Sequence, residues 1–406
     1  MSSAWPGVDT LPYVLYLDVL TVMIANLTIA GALFLCCVGV SSPGIQRFMC
    51  HGLYELIYPM QIIAIDVGMG TQDILLYDDT QHIENNIKMV LPSQTQIIAR
   101  RISRATDAGH DIFLTGTTMG GGPSGKSVRE HIKAGLRVYA EVAAALTLHD
   151  NLERIAHMGV TLVGVGDSVP AKAEHIEMCD VDTHALGTAL ELFETQLPRD
   201  FAVAVQDHGE APDMSNRVFR FQHFRELLEA GGELERFAYL NRVPPRLSRM
   251  RAVMETLKQH GNNVLVMDTG PAAMYGALDS YPGGPVAVVN IGNGHTLATV
   301  VAGNRILGLF EHHTRSLDTP KLDDLIMRLC DGELDFDEVF NDGGHGCHIQ
   351  EEVGFNNIMS VIVTGPNRHI MTGSSLDVEF ASPHGDMMLT GCFGLVEMFR
   401  KKMSQR

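Results

Sequence analysis

The 406 residues suffice for two or three domains, and 45% hydrophobic with 19% charged residues, 40 Gly and 17 Pro excludes a disordered or low-complexity chain. Thirty Lys and Arg against 48 Asp and Glu leave a net charge of −18, which repels phosphate backbones and argues against nucleic acid as a partner. Seven cysteines, an odd count with no C-x-x-C pair, exclude a disulfide frame and a cysteine zinc site, and point to a reducing, cytoplasmic setting.

Residues 19–40 carry no charge, and at about 1.5 Å per residue they are long enough for a membrane helix; Arg47, the first positive charge, would keep the body inside the cell. The other reading is an extension ahead of Met60, where the patterned body begins. From there, residues 61–77 predict a hairpin around the turn Gly68-Met69-Gly70 and 86–91 a third strand. A helix is expected over 94–108, a strand over 111–115, a long helix over 128–148 and a strand over 160–165. Strands near 176–182 and 201–205, with helices over 184–193, 219–230 and 245–259, form an inserted α/β region. The opening pattern then recurs: a hairpin over 285–301 and 305–310, a helix over 319–330, a strand over 358–364 and a closing helix over 390–401. Two β-β-β-α-β units predict an α/β fold with duplicated lobes and a ligand cleft between them. The expected division is 1–59 as an extension, 60–166 as the first lobe, 167–260 as the insertion and 261–406 as the second lobe.

Chemistry concentrates on the hairpins. In Asp66-Val67-Gly68-Met69-Gly70-Thr71-Gln72-Asp73 two glycines let backbone N–H groups approach an anion, Thr71 adds a hydroxyl, and a strand-end carboxylate can hold hydrated Mg²⁺. Asn290-Ile291-Gly292-Asn293-Gly294-His295-Thr296 occupies the same place in the second unit, so the two turns can face each other across a phosphate chain.

These segments resemble the two phosphate loops of the superfamily of actin, the large heat-shock chaperones, sugar kinases and acetate kinase, in which duplicated ribonuclease H-like lobes enclose ATP and Mg²⁺. Val361 to Pro366 resembles that superfamily's adenosine loop, with Gly365 at the nucleoside. The resemblance implies that Gly68, Gly70, Thr71, Asp73, Asn290, Gly292, Gly294 and Thr296 border the nucleotide and that Asp66 organises the metal. More closely, through AIDVGMGTQDILLYD, LTGTTMGGGP, QDHGEAP, FEHHT and DGGHG, residues 60–406 resemble a prokaryotic family often labelled as pyruvate formate-lyase activating proteins. The chain lacks the C-x-x-x-C-x-x-C motif that a radical iron-sulfur activase would need. Asn290 stands where the superfamily usually has Asp, and an amide brings no charge to Mg²⁺ and cannot act as a base. Asp268 and His208 are then the candidate bases. The expected activity is ATP-dependent phosphoryl transfer or ATP hydrolysis toward a small-molecule or protein acceptor of unknown identity; the alternative is a non-catalytic nucleotide-binding regulator.

Two further signals compete. Gly120 to Ser127 reads G-x-x-x-x-G-K-S, a P-loop pattern, with residues 264–268 available as its metal-binding strand. Eighteen histidines include His208, His312, His313 and His345 in Gly- or carboxylate-flanked settings, and their convergence would make a metal site and a histidine-liganded hydrolase. Arg242, Arg246, Arg249 and Arg251 are candidates to recognise an anionic substrate.

Overall fold

A computed structural model describes residues 60–405 apart from 165, 166, 168, 212, 213, 279, 280 and 282. The apolar segment 19–40 therefore lies outside the described residues, and among those described no helix is long and apolar enough to cross a membrane.

The run Gln-Ile-Ile-Ala-Ile-Asp-Val forms β1 (Gln61–Val67), covered on both faces as a central strand must be. It turns tightly into antiparallel β2 (Thr71–Asp78), with Asp66 opposite Asp73, and β3 (Ile87–Pro92) pairs along β2. Amphipathic α1 (Gln94–Ala108) stops at Gly109, which takes the left-handed conformation that ends helices.

Next come β4 (Ile112–Gly116), α2 (Gly122–Lys133), β5 (Val138–Glu141), α3 (Val142–Ala145), α4 (Leu152–His157), β6 (Val160–Val163) and β7 (Glu174–Met178). The expected helix over 128–148 is thus two helices with a strand between them. Gly135, at φ 84°, ends the helical path, and Val138, Tyr139 and Ala140 are buried between β4 and β6.

The chain continues through α5 (Thr183–Glu191), β8 (Asp200–Val205), α6 (Asn216–Glu229), β9 (Ala238–Leu240), α7 (Ser248–Leu257) and β10 (Asn263–Met267). β8 lies parallel to β1, and β10 parallel to β8, so the first sheet has the order β3-β2-β1-β8-β10-β9. The remaining elements are α8 (Thr269–Ala277), β11 (Val286–Ile291), β12 (His295–Ala302), β13 (Arg305–His313), α9 (Thr319–Cys330), α10 (Phe336–Asn341), β14 (Gly346–Ile349), β15 (Val361–Thr364), β16 (Val378–Phe380) and α11 (Thr390–Ser404). Their sheet runs β14-β13-β12-β11-β15-β16. In both sheets an antiparallel three-strand meander is extended by two strands parallel to its first member. The expected duplication is present.

The division between lobes differs from the expected one. β4 to β7 do not join β1; they make a separate parallel sheet, β6-β5-β4-β7, with its own core of Ile98, Ile102, Ile112, Leu114, Val128 and Ile176. The insertion is therefore α1 to β7, and β8 and β10, expected in the insertion and second lobe, complete the first sheet. Pairing is the reason: a short apolar strand has the same pattern whichever parallel neighbour it takes.

Ile63, Ile65, Phe201, Val203, Val264 and Val266 fill one face of the first sheet, each burial worth about 1.5–3 kcal/mol. Helices α8 and α11 meet at glycines: a Cβ on Gly276 would lie 1.9 Å from the Thr390 carbonyl, and one on Gly394 2.1 Å from that of Ala272. This close crossing brings the start of α11 beside β1, at the edge of the site.

Candidate functional site

Parallel strands present their C-terminal ends and following loops on one side, where ligands of open α/β sheets bind. The ends of β1, β8, β11 and β15 and both hairpin turns border one cavity of about 380 Å³. Each turn closes alike. Gly68 N–H donates to the Thr71 carbonyl at 2.9 Å, and Gly292 N–H to that of His295 at 2.9 Å. The turns also face each other: a Cβ on Gly70 would meet Asn293 Nδ2 at 3.0 Å, and one on Gly294 would meet Met69 Cε at 3.6 Å.

Below them stand Asp66 and Asp73, register partners on β1 and β2. Both Oδ1 atoms are shut off from solvent without a hydrogen-bond partner. Burial, then the charges of Asp73 and Asp268, hold the Asp66 carboxyl well above its ordinary range. Burial also pushes Asp73 up to about 7. Two carboxylates with orphaned oxygens beside a cavity are costly unless a cation completes them. Gly391 permits the arrangement, since a Cβ there would lie 2.1 Å from Asp66 Oδ2. Gly365, at φ 96°, turns the chain after β15 where a Cβ would strike Asn290 Oδ1 at 2.7 Å.

Asp66, Gly68, Thr71, Asp73, His208, Asn290, Gly292, Gly294 and Gly365 all line the cavity. Gly70 packs on Asn293, and Thr296 is buried with its hydroxyl 3.0 Å from that of Thr314. Asp268, expected as a base, is committed elsewhere. Arg220 Nη1 and Nη2 donate to its two oxygens at 2.6 and 2.9 Å. The same guanidinium donates to Glu311 at 2.7 and 2.8 Å and to the Asp207 carbonyl at 2.8 Å, so every branch is occupied. Burial is the largest single influence on Glu311 and would raise it, but the charges of Arg220 and His345 and the hydrogen bonds from Arg220 together hold it well below the usual carboxylate range.

Arg220 was not among the arginines singled out. The available signal was its place between Phe219 and Phe221 on α6, an unusual setting for a solvated charge. Of those singled out, Arg249 makes a bidentate pair with Asp180 at 2.7 and 2.8 Å and donates to the Gln206 carbonyl at 2.7 Å, at the cavity wall. Arg246 pairs with Glu226, and Arg251 lies 3.9 Å from Glu255.

The histidines converge in a different set from the one expected. His208, His295 and His345 bring ligating nitrogens within 4.8 Å of one another, and the His313 ring is 4.8 Å from that of His295. His312 points away, its Nε2 donating to Asp342 at 2.9 Å. Successive residues of a strand face opposite ways, so His312 and His313 on β13 cannot share a site. His295 was legible only as a turn residue; its pairing with His313 across β12 and β13 brings it in. Burial, with help from Arg220, holds His208 well below its ordinary value, and burial pushes His295 down to about 3, so both rings are neutral at pH 7.

The G-x-x-x-x-G-K-S pattern forms no phosphate cradle. α2 begins at Gly122 with Pro123 in its first turn, so Lys126 is already helical; its side chain is 73% exposed and lies 3.7 Å from Glu130. Gly120 to Gly122 do line the cavity wall.

Residues 119–370 match the family model DUF1786, described as "Putative pyruvate format-lyase activating enzyme". No curated protein matches the sequence. Among solved structures, the apo psk41 parM protein is 12% identical over 85% of this chain and 99% of its own, with a TM-score of 0.30. MreB5 of Spiroplasma citri bound to ADP is 11% identical over 85% and 97%, with a TM-score of 0.31. The ROK hexokinase from Thermus thermophilus is 11% identical over 86% and 100%, with a TM-score of 0.30. At such scores the duplicated strand order, rather than these likenesses, carries the description of the fold.

Proposed function

The chain belongs to this family, DUF1786, and we propose that it binds a nucleoside triphosphate with Mg²⁺ between its two hairpin turns. One observation carries the reading: two turns with the same hydrogen-bond closure, on sheets that share a five-strand order, face each other above two carboxyl groups that each keep one buried oxygen without a partner. That the hairpins resemble the phosphate loops of the actin-like superfamily supports it.

The residues fit the ligand. The N–H groups of Met69, Gly70, Asn293 and Gly294 would meet phosphate oxygens, with Thr71 adding a hydroxyl. Asp66, with Asp73 beside it, would hold Mg²⁺, which when bound neutralises the phosphate charge. Gly365 would border the nucleoside. Asn290 brings neither charge nor a base, and the salt bridges of Asp268 remove it as a substitute, which favours binding over rapid turnover.

The residues do not fit the cluster that the family's description implies. Among the described cysteines Cys330, Cys347 and Cys392 are buried and Cys179 is half-buried, and among the described residues no cysteine belongs to a group of three ligating side chains. Burial pushes the thiols of Cys179, Cys330 and Cys347 up to about 12, away from the thiolate an iron-sulfur cluster needs.

Calorimetric titration of the full chain with ATP and Mg²⁺ tests the proposal. Asp66→Ala should weaken binding about 10- to 100-fold, the scale of a lost charge-assisted contact, and Lys126→Ala should leave it unchanged. Binding lost with Lys126 and kept without Asp66 would revive the P-loop reading; no binding by the parent would end the nucleotide reading. Phosphate release from the same samples separates an ATPase from a sensor.

A further inference from the structure

We propose that His208, His295 and His345 form a site for one divalent transition-metal ion, distinct from the Mg²⁺ position at Asp66. The three residues come from separate parts of the chain: the loop after β8, the first residue of β12, and the Gly-Gly-His-Gly segment ahead of β14. Only the fold brings them together, with ligand nitrogens within 4.8 Å. From there modest ring rotations reach the roughly 2.0–2.1 Å bonds of a zinc-type ion.

The surroundings are built for a cation. His345 Nδ1 stands 2.6 Å from Glu311 Oε2, though not aligned as a hydrogen bond; a carboxylate behind an imidazole is the usual outer support of a metal-bound histidine, and it would leave Nε2 as the ligand atom. Glu311 is itself fixed by Arg220 and by Gln206 Nε2, which donates to it at 3.2 Å. Behind the rings one guanidinium faces the two carboxylates of Asp268 and Glu311, leaving a net negative charge to offset the ion. Among the described residues no hydrogen bond engages the ring nitrogens of His208 or His295, and both rings pack against that of His345, with centroids 5.3 and 4.7 Å away. A set of three imidazoles suits Zn²⁺, Fe²⁺, Co²⁺ or Ni²⁺ rather than Mg²⁺, which prefers oxygen.

His208 and His295 line the cavity while His345 is buried behind them, so the open coordination position faces the cavity. There it would take an anionic oxygen, carboxylate or phosphoryl, of a molecule lying beside the two turns. The inference needs no nucleotide and stands if the phosphate reading fails.

The test uses the full chain purified without a histidine tag. Elemental analysis should find about one equivalent of transition metal. After chelation, titration with Co²⁺ alone should produce the visible absorption bands of a nitrogen-coordinated ion. His312→Gln should leave the nitrogen-coordinated Co²⁺ bands unchanged, while His208→Gln and His295→Gln should each weaken Co²⁺ binding at that site at least about 10-fold. His345→Gln should do the same if the buried variant folds, as judged by circular dichroism; the two half-buried variants decide the matter if it does not. Sub-stoichiometric metal with no cobalt bands, or cobalt binding that survives both His208→Gln and His295→Gln, would overturn the site. Loss of binding in Asp66→Ala alone would move the metal to the carboxylates and also overturn it.

Discussion

Arg220→Leu should cost about 3–5 kcal/mol of folding stability, the scale for removing one partner of a buried ion pair. The guanidinium is 2% exposed and serves Asp268 and Glu311 together. Its loss leaves two almost fully buried carboxylates without the guanidinium that serves both. Urea unfolding of the full chain reads the effect as a lower midpoint with little change in slope. Adding Asp268→Asn and Glu311→Gln to the same chain should restore part of the loss, because the expense lies in uncompensated charge rather than in missing attraction. A loss under about 1 kcal/mol for the single variant would mean that the network is solvated and does not organise the site.

Asp73→Asn should stabilise the metal-free protein at pH 8 by roughly 4 kcal/mol at most, the value of a shift from 3.8 to about 7 at about 1.4 kcal/mol per unit. The sign follows from proton linkage. The folded state holds the Asp73 proton more tightly than the unfolded chain, so below about pH 4 both states carry it and the carboxyl costs nothing. As pH rises toward 7 the unfolded chain releases its proton first, and the folded state loses stability until Asp73 also ionises. Parent and variant should therefore converge near pH 4 and separate through pH 7, in thermal melts with a chelator present. Mg²⁺ should narrow the gap by stabilising the parent more than the variant. A gap that does not change with pH would show that Asp73 is hydrated and does not wait for a cation.

Much of this architecture could be read one residue after another. β1 and β2 are short apolar runs that turn at Gly68-Met69-Gly70 on chemistry local to a few residues, and Asn290 to Thr296 repeats it. The C-cap at Gly109 and the apolar spacing of α1 are equally local. The helix over 128–148 failed where local signals conflict. Alanines and leucines in 140–148 favour a helix by propensity, yet burial between two parallel neighbours makes Val138–Glu141 a strand. The P-loop pattern failed because its spacing is met while the backbone is already helical from Gly122.

The sequence by itself determined the duplicated hairpins, the two glycine turns and the family, since each depends on contiguous residues whose conformational preferences are local. Only the tertiary structure decided which strands complete the first sheet, which arginine is buried, and which histidines meet. Those outcomes depend on contacts between distant segments: Glu311 reaches Arg220 across 91 positions, and Gln206 reaches Glu311 across 105. Periodicity shows which face of a strand is buried but not what it is buried against, and so His295 and Arg220 became visible as functional candidates only once β12, β13 and α6 were packed.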